Sequence, residues 1–475
     1  MTTSQPILVA GRWETSDLEL ISLAPGTGDE IGRSYRANAD QLDRATAAAV
    51  TAFEVTRKLA SFERSAILRA IAEGVTARRA ELGTLLAREA GKPLADSLTE
   101  VDRTAFTFRH AAEEAERING EVIPLDLIPS SRGKWAITRR VPLGPIAGIS
   151  PFNVPLSLSA HKLAPAIAAG DTIVLKPDSR VALTLLLLAQ IMVDAGVPEG
   201  ALSVLPMDID VADRLVTDPR FRLLSFTGSA RVGWDMRARA GSKNVVLELG
   251  GDGAVIVAAD ADLDHAVNRA LVGAFKYAGQ ICISVQRIFV HSSLVAEFTD
   301  RLVEGAARLR VGAPLDSDSE IGPMISADAA ERTLALIDEA VGAGAALLTG
   351  GTREGSYVAP TVLIDVPGTV RLAREEAFAP VVFVQAFDDI ADAIAQVNDS
   401  DYGLQAGVFT RDLRTIWEAF DDLDVGGVII NDVPTYRVDH MPYGGVKDSG
   451  MGREGIRYAI EHMTELRTLV ITPDS

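Results

Sequence analysis

The sequence predicts an α/β protein made of two α/β domains and some extended peripheral segments. Helical patterns, in which apolar residues recur at spacings of three and four, alternate with short apolar runs along most of the chain. These runs contain few polar residues, which is typical of parallel strands buried on both faces of a sheet. A length of 475 residues corresponds to about three ordinary domains and leaves room for several large cores.

Composition and charge exclude several classes of function. Hydrophobic residues make up 47% of the chain and charged residues 23%, which is an ordinary globular balance. The net charge of −19 argues against a broad basic face, so neither nucleic acid nor an anionic membrane is an expected partner. A single cysteine excludes an intramolecular disulfide and a cysteine-rich metal site, and no metal site is predicted. We see no secretory signal and no apolar run of about 18 residues, so a cytoplasmic protein is expected.

The first half of the predicted order begins with a strand-like start and three helices. An extended segment rich in β-branched residues, Pro, Ser and Gly separates these helices from the first buried strands. Gly196 and Pro198 end the fourth helix. The predicted helices are 39–58, 61–89, 98–119 and 181–195, the extended segment is 121–141, and the strands are 146–150, 172–176, 201–205, 223–227 and 244–249.

A second α/β stretch begins near Gly253 and repeats the alternation. It ends in a helix followed by a β-prone segment close to the terminus. The predicted strands are 254–258, 287–291, 426–431 and 466–471, and the helices are 263–277, 293–309, 326–344, 388–399, 413–423 and 452–465.

Cys282, the only thiol, lies in a Gly-Gln turn between a predicted helix and a predicted strand. A thiolate at such a position is a competent covalent nucleophile if its pKa is lowered. The alternative is a buried cysteine that packs as a small hydrophobic residue. Its position alone leaves both interpretations open.

Two further polar side chains occupy unusual positions. Glu248 interrupts an apolar strand just before two glycines, where it is either a general base with a raised pKa or a structural partner of a cation or amide. Asn153 lies between Pro151 and Pro155, which fix the backbone and preorganise the amide as a donor to an oxyanion. The alternative for Asn153 is a cap of the helix that begins near Leu156.

The segment 226–233 runs from a strand into a helix and gives a weak phosphate-binding signal. Gly228 and Gly233 do not form the G-x-G-x-x-G fingerprint, but the helix N-terminus with Ser229 is able to receive a pyrophosphate. Lys176 ends an earlier strand, so its ammonium is a candidate partner of a ribose hydroxyl or a phosphate.

Taken together, these landmarks resemble the aldehyde dehydrogenase superfamily, and the resemblance covers essentially the whole chain. Each motif is weak by itself, but the ordered set is highly specific. The matching segments, in the order of the family, are Pro151-Phe152-Asn153, Lys176-Pro177, Phe226-Thr227-Gly228-Ser229, Glu248-Leu249-Gly250-Gly251, Gly279-Gln280-x-Cys282, Gly322-Pro323-Met324-Ile325, Glu375-Glu376-Ala377-Phe378-Ala379-Pro380, and Pro442-Tyr443-Gly444-Gly445 with Ser449-Gly450.

The resemblance implies a mechanism for these residues. Cys282 would add to an aldehyde, and Asn153 and the Cys282 backbone N–H would hold the resulting oxyanion. Hydride would leave to NAD or NADP, and Glu248 would activate the water that hydrolyses the thioester to a carboxylic acid.

The resemblance also implies the fold and the assembly. It implies a Rossmann-like cofactor-binding domain at 1–118 and 140–249 and an α/β catalytic domain at 250–445. A small β oligomerisation element would be formed by 119–139 and 455–475, which leads us to expect a homodimer or homotetramer.

One departure from the family bears on the choice of cofactor. NAD-preferring members carry Glu three residues after the lysine, whereas this chain has Ser179 followed by Arg180. Loss of the carboxylate removes repulsion against a 2′-phosphate, so NADP is permitted and NAD is not excluded. Ala379 replaces a common Gly, which puts little in doubt. The residues predicted to bind the cofactor are Lys176, Ser179, Gly228, Ser229, Glu376, Phe378 and Pro151.

The segment 431–441 borders the substrate mouth in the family. With an Arg and a His in this segment, the chain resembles the branch of the family that acts on small polar aldehydes such as lactaldehyde, phosphonoacetaldehyde or sulfolactaldehyde. Arg437 is predicted to clamp a carboxylate, phosphonate or sulfonate through two parallel N–H bonds. The alternative is that Arg437 pairs with Asp432 or Asp439 and only shapes the loop.

Two weaker substrate candidates are Arg109 and His440. Arg109 lies on the predicted 98–119 helix, where the alternative is a solvated charge on the helix surface. His440 lies in the same segment as Arg437.

Three other functions compete with a hydrolytic aldehyde dehydrogenase. A CoA-acylating dehydrogenase commonly lacks the glutamate that Glu248 matches. A cysteine hydrolase needs a histidine beside Cys282, and only His291 lies within ten residues of it in sequence. A catalytically silent binding protein on the same fold is disfavoured by the intact Cys282, Glu248, Asn153 and Lys176.

Overall fold

The computed structural model of the protein describes residues 4–472. Residues 1–3 and 473–475 lie outside the described residues. They are the ends of the predicted cofactor-binding segment 1–118 and of the predicted oligomerisation segment 455–475. The described strands belong to six sheets, and two of these sheets form the centres of separate α/β units. The predicted α/β fold is therefore confirmed.

The strands, in chain order, are β1 (Ile7–Val9), β2 (Arg12–Glu14), β3 (Glu19–Leu23), β4 (Glu30–Tyr35), β5 (Val122–Pro124), β6 (Trp135–Pro142), β7 (Pro145–Ile149), β8 (Thr172–Lys176), β9 (Leu202–Val204), β10 (Leu223–Thr227), β11 (Asn244–Glu248), β12 (Ala254–Val257), β13 (Arg287–His291), β14 (Ala346–Thr349), β15 (Arg353–Glu354), β16 (Tyr357–Val358), β17 (Thr361–Ile364), β18 (Val381–Phe387), β19 (Tyr402–Gly403), β20 (Gln405–Phe409), β21 (Gly427–Ile430), β22 (Val446–Lys447), β23 (Gly450–Met451) and β24 (Thr464–Ile471).

The α-helices are α1 (Ala39–Thr56), α2 (Ser61–Ala77), α3 (Arg79–Ala90), α4 (Leu94–Ala115), α5 (Pro155–Ala169), α6 (Ala182–Asp194), α7 (Ile209–Thr217), α8 (Ala230–Arg239), α9 (Leu263–Phe275), α10 (Val295–Arg308), α11 (Ala327–Gly342), α12 (Arg371–Arg374), α13 (Ile390–Asn398), α14 (Leu413–Asp422) and α15 (Ile456–His462).

The first α/β unit is built on an eight-stranded sheet in the order β2-β1-β9-β8-β7-β10-β11-β23. Its five central strands, from β9 to β11, run parallel, and the outer strands pair antiparallel. All residues of β7 and β10 are buried, because helices cover both faces of the sheet. The carboxyl ends of β7, β10 and β11 therefore lie side by side at one edge.

The second unit is built on a seven-stranded sheet in the order β14-β17-β18-β13-β12-β20-β21. All of its pairs are parallel except the one between β14 and β17. The apolar cores of the two units divide the chain near residue 250, although the first core also takes up Tyr277 and residues of α15.

A three-stranded antiparallel sheet of order β24-β6-β5 lies outside both units. The strand β24 pairs with β6 over eight residues, from Thr464 opposite Pro142 to Ile471 opposite Trp135. Residues 465–470 are exposed on both faces of this strand. The strand predicted at 466–471 is thus confirmed.

Several predicted elements match closely, and others are corrected. The strands predicted at 172–176, 223–227 and 287–291 are found at those bounds. The single helix predicted at 61–89 is wrong, because the backbone leaves the helical region at Arg78 (φ −102°, ψ 22°) and the segment forms two helices, α2 and α3. The helix predicted at 452–465 is only α15, since Gly455, with φ 96°, holds the chain out of the helix before it.

Candidate active site

Cys282 lies on a loop that begins with a left-handed turn. Tyr277, Ala278 and Gly279 all have positive φ, at 51°, 52° and 66°. A methyl group on Gly279 would lie 2.0 Å from the Ala379 carbonyl oxygen, so only glycine fits there. The side chain of Gln280 fixes the next step, since its Oε1 accepts the backbone N–H of Ile325 at 2.8 Å. This part of the backbone is therefore rigidly placed.

The Cys282 side chain lies between two cavities. A smaller cavity of about 260 Å³ has residues of α4, Tyr277, Arg437 and Tyr443 in its lining. A larger cavity of about 670 Å³ lies at the carboxyl ends of β7, β10 and β11. Asn153 and Cys282 line both cavities. A group held in one cavity can therefore meet a group held in the other at the thiol.

Asn153 is buried and lies beside the cysteine loop. Its Nδ2 donates to the carbonyl oxygen of Gln280 at 3.0 Å. It precedes α5, whose N-cap is Val154, and no helix-capping bond from the Asn153 side chain is among the described contacts. The Asn153 amide is thus held against Gln280, the residue two positions before Cys282 in the chain.

Glu248 ends β11 and faces the larger cavity. Both carboxylate oxygens are buried and have no hydrogen-bond partner among the described residues. Burial, and then the nearby Glu454 carboxylate, raises the pKa of Glu248 well above its usual range. An unpartnered carboxyl group of raised pKa at a strand end is suited to act as a general base.

Sequence reasoning missed a buried charged network behind Glu248. Lys162 on α5 donates to Thr227 Oγ1 at 2.7 Å and lies 3.7 Å from Glu454 Oε1. Glu454 Oε2 in turn accepts Nη2 of Arg437 at 2.9 Å. Lys162 is a charged residue within the apolar helix 155–169, and this contrast could have drawn attention to it. No local sequence pattern indicated that its partner is Glu454.

Five of the residues predicted to bind the cofactor line the larger cavity. They are Pro151, Gly228, Ser229, Glu376 and Phe378. Ser229 is the N-cap of α8, so the start of this helix opens on the cavity. Glu376 Oε1 accepts the Gly251 backbone N–H at 3.1 Å, and burial raises the pKa of Glu376 to about 7.

Lys176 and Ser179, the other two predicted cofactor residues, are half-buried outside this lining. Burial lowers the pKa of the Lys176 ammonium. Arg180 does not present a free charge, because its Nε and Nη2 donate to both oxygens of Asp178 at 2.9 and 2.7 Å. Its guanidinium carbon also lies 4.3 Å from the centre of the Phe152 ring.

Arg437 lines the smaller cavity, with a side chain that is 8% exposed. Its partner is Glu454, so the predicted alternatives Asp432 and Asp439 are wrong. Those two aspartates pair with other arginines. Asp432 accepts a hydrogen bond from Nε of Arg269, and Asp439 accepts hydrogen bonds from Nε and Nη2 of Arg103. One arm of the Arg437 fork is thus already occupied within the protein.

The structure does not bring Arg109 and His440 to the cavity. Both are exposed, and the His440 ring packs edge-on against Phe106 and His110. The residues of α4 that line the smaller cavity form one stripe along the helix, namely Asp96, Thr99, Glu100 and Arg103. A residue six places after Arg103 faces away from that stripe, which accounts for the position of Arg109. Arg103 is the α4 arginine at the cavity, and sequence reasoning missed it.

No helix between residues 4 and 472 is long and apolar enough to cross a membrane. In the same part of the chain no three His, Cys, Asp or Glu side chains are grouped so as to hold a metal ion.

Comparison with known proteins places this geometry in a family. The model of the aldehyde dehydrogenase family matches residues 13–469. A 3-sulfolactaldehyde dehydrogenase from Priestia aryabhattai is 43% identical over 466 residues, which are 98% of this chain and 97% of that protein.

Two solved structures are similar over nearly the whole chain. Aldehyde dehydrogenase 21 from Physcomitrella patens, in complex with the reaction product succinate, has a TM-score of 0.97 and 42% identity, with 99% of this chain and 98% of that chain covered. Glyceraldehyde-3-phosphate dehydrogenase from Methanocaldococcus jannaschii, complexed with NADP, has a TM-score of 0.92 and 37% identity, with 96% and 99% covered. The chain therefore belongs to the aldehyde dehydrogenase family.

Proposed function

We propose that this protein oxidises a small anionic aldehyde to its carboxylic acid with NAD or NADP, through a covalent intermediate on Cys282. The observation that carries the proposal is the position of this thiol between two cavities that share Asn153. Oxidation by hydride transfer requires an aldehyde carbon bound to the nucleophile on one side and a hydride acceptor on the other. The two cavities supply these two places.

The first half of the reaction belongs to Cys282 and Asn153. The thiolate attacks the aldehyde carbon, a C–S bond forms, and the carbonyl oxygen becomes the oxyanion of a thiohemiacetal. The Asn153 amide, held at the cysteine loop, and the Cys282 backbone N–H are the donors for that oxyanion. Loss of hydride from the same carbon leaves a thioester.

The residues of the larger cavity fit a nicotinamide dinucleotide. The cavity lies at the ends of parallel strands and at the start of α8, where a pyrophosphate is favoured. Glu376 has one oxygen without a hydrogen bond among the described contacts, and Phe378 supplies an apolar surface. When bound, the nicotinamide accepts the hydride. Gly228, Ser229, Glu376, Phe378 and Pro151 would hold the cofactor, and Lys176 and Ser179 would meet its ribose.

Glu248 would complete the reaction by hydrolysis. It takes a proton from water, the hydroxide oxygen adds to the thioester carbon, and the C–S bond breaks to release the acid and the thiolate. The unpartnered oxygens of Glu248 leave both of its acceptors free for that water. This residue favours hydrolysis over transfer of the acyl group to CoA. The cysteine hydrolase alternative loses support, because the described side-chain partner of the thiol is Tyr443 rather than a histidine.

Charge in the smaller cavity supports an anionic substrate. Five cationic side chains line it against two acidic ones, in a chain whose net charge is −19. Two of the three similar proteins above are named for an aldehyde that carries a sulfonate or a phosphate group, and the third is in complex with the dicarboxylate product succinate. We infer that the substrate is an aldehyde of this class and that Arg437 attracts its anionic group.

The remaining expectations concern the domains, the assembly and the location of the protein. We propose that the first unit binds the cofactor, that the second carries Cys282, and that the β24-β6-β5 sheet joins subunits. We also propose that the enzyme is a cytoplasmic homodimer or homotetramer.

A panel of aldehydes tests the substrate class. We expect reduced cofactor to form with short sulfonate, phosphonate and carboxylate aldehydes at a kcat/KM well above that for propanal.

The Arg437→Lys variant keeps a charge opposite Glu454 but loses the planar fork, so KM should rise about tenfold for anionic aldehydes and stay unchanged for propanal. Arg411→Lys, on a surface pair far from both cavities, is the matched control. Equal loss on both kinds of aldehyde would show that Arg437 does not bind the anionic group of the substrate, and no turnover of any aldehyde would overturn the proposed function.

A further inference from the structure

The hydroxyl of Tyr443 is the polar group at the sulfur of Cys282. Tyr443 Oη lies 2.9 Å from Cys282 Sγ. Ile281, Ile283 and Leu404 belong to the same apolar cluster as Cys282 and Tyr443. Among residues 4–472, no other side chain forms a hydrogen bond with the thiol. The phenol therefore has a direct electrostatic effect on the sulfur.

Neighbouring residues hold both the backbone and the ring of Tyr443. The residue is buried, and its backbone N–H and C=O form hydrogen bonds with those of Glu454 at 3.1 and 2.7 Å. The Arg437 guanidinium carbon lies 3.8 Å from the centre of the tyrosine ring. Because the Glu454 side chain also accepts a hydrogen bond from Arg437, each of the residues Tyr443, Arg437 and Glu454 contacts the other two. The preorganised contact costs little to keep during the reaction.

The chemistry of the two groups fixes the direction of this hydrogen bond. A thiolate only accepts hydrogen bonds, whereas a phenol can donate one. Burial raises the pKa of Tyr443 well above its usual range, so the phenol keeps its proton at neutral pH. The positive charge of Arg437 over the ring draws electron density from it and makes the phenol a stronger donor.

We propose that Tyr443 is a further catalytic residue, whose O–H donates a hydrogen bond to the Cys282 thiolate and so increases the fraction of nucleophile that is ready to react. This inference rests on the proposed role of Cys282. It assigns Tyr443 a task before the aldehyde arrives, which is distinct from the task of Asn153 on the oxyanion. The need is clear, because burial raises the pKa of the Cys282 thiol to about 12.

Alkylation of the single cysteine tests the proposal without substrate or cofactor. With iodoacetamide the thiolate forms an S–C bond, iodide leaves, and the thiol proton passes to the buffer. In Tyr443→Phe we expect the rate at a fixed pH to fall about tenfold or more, and the pH profile to move up by about one unit or more. Tyr436→Phe, an exposed tyrosine of the neighbouring segment, should leave the profile unchanged.

A second measurement changes the donor strength of the phenol without removing it. Incorporation of 3-fluorotyrosine makes every phenol more acidic and a better donor, so the wild-type profile should move down while that of Tyr443→Phe stays in place. Profiles that do not move in a folded Tyr443→Phe protein would overturn the proposal, as would a fluorotyrosine shift that survives this substitution. Failure of the wild-type enzyme to oxidise any aldehyde would overturn the proposed function and leave the alkylation result standing.

Discussion

Burial governs the acid–base behaviour of Cys282 and Glu248. It raises the pKa of both groups, because neither side chain has enough water around it to stabilise a negative charge. Each must lose a proton before it can act, and below its pKa the ionised fraction grows about tenfold for each pH unit. We therefore expect kcat/KM for the aldehyde to rise from about pH 6 to about pH 9. A stopped-flow pH profile checks this, and a rate that falls over that range would contradict it.

We predict that the choice between NAD and NADP depends on Ser179. A glutamate at this position would place a carboxylate against the 2′-phosphate of NADP, a contact worth about 1–3 kcal/mol of repulsion. Ser179→Glu should therefore increase the preference for NAD by about five- to a hundredfold, measured as the ratio of kcat/KM values for the two cofactors. Ser179→Gln adds the same bulk without the charge and is the control. A ratio that responds equally to both substitutions would show that size, not charge, acts there.

The sequence identified single residues better than it identified their partners. Cys282, Glu248 and Asn153 stood out because a thiol, a carboxylate or a proline-bracketed amide in an apolar context is locally unusual. The contact of Cys282 with Tyr443 joins residues 161 positions apart, and the pair of Lys162 and Glu454 is more distant still. Such pairs depend on how distant segments of the chain pack. For the same reason the partner of Arg437 was not predicted.

At the scale of elements, one buried carboxylate joins three of them. Glu89 at the end of α3 accepts Ser22 Oγ from β3 and the backbone N–H groups of Leu183 and Thr184 at the start of α6. It also accepts Thr184 Oγ1 at 2.7 Å. The carboxylate therefore caps α6 from a distance, which no local sequence pattern shows.

Removal of that carboxylate should loosen the packing of α3, α6 and β3. In Glu89→Ala, several buried donors lose their acceptor, at a cost of about 1–3 kcal/mol each. We expect the free energy of unfolding in urea to fall by at least about 3 kcal/mol. Glu73→Ala, on the exposed face of α2, should change it by less than about 0.5 kcal/mol. A similar small change in Glu89→Ala would show that water replaces the lost acceptor.

Periodicity predicted elements well where packing agrees with it. The buried strands β8, β10 and β13 were found at their predicted bounds, because continuous apolar runs between turns leave little freedom. The break between α2 and α3 was not predicted, because the residue at the break is Arg78 and not a glycine or a proline. Short strands such as β22 and β23 carry too few residues to show a pattern.

At the scale of the whole molecule, the β24-β6-β5 sheet is poorly covered within one chain. Leu466, Leu469 and Val470 of β24 are 60%, 58% and 53% exposed. An eight-residue edge strand with exposed apolar side chains is suited to pair with a second copy. The assembly into a homodimer or homotetramer stays a prediction.

A charge on β24 tests this assembly. If subunits meet through this sheet, Leu469→Lys should shift the sedimentation coefficient at micromolar concentration toward that of the smaller species, because a buried unpaired ammonium is costly. Ile209→Lys, at an exposed position of α7 away from this sheet, should sediment like the wild type. Unchanged sedimentation of both variants would assign the interface to another surface.

In the proposed reaction Cys282 carries the acyl group until Glu248 activates water, so this acyl-enzyme should accumulate when Glu248 is replaced. In Glu248→Gln, mixed with an anionic aldehyde and NADP, we predict one equivalent of reduced cofactor in a burst, followed by a stall. Intact-mass and peptide analysis should then locate one acyl group on Cys282. Sustained turnover without an adduct, or a stoichiometric adduct on any other residue, would rule out this reaction.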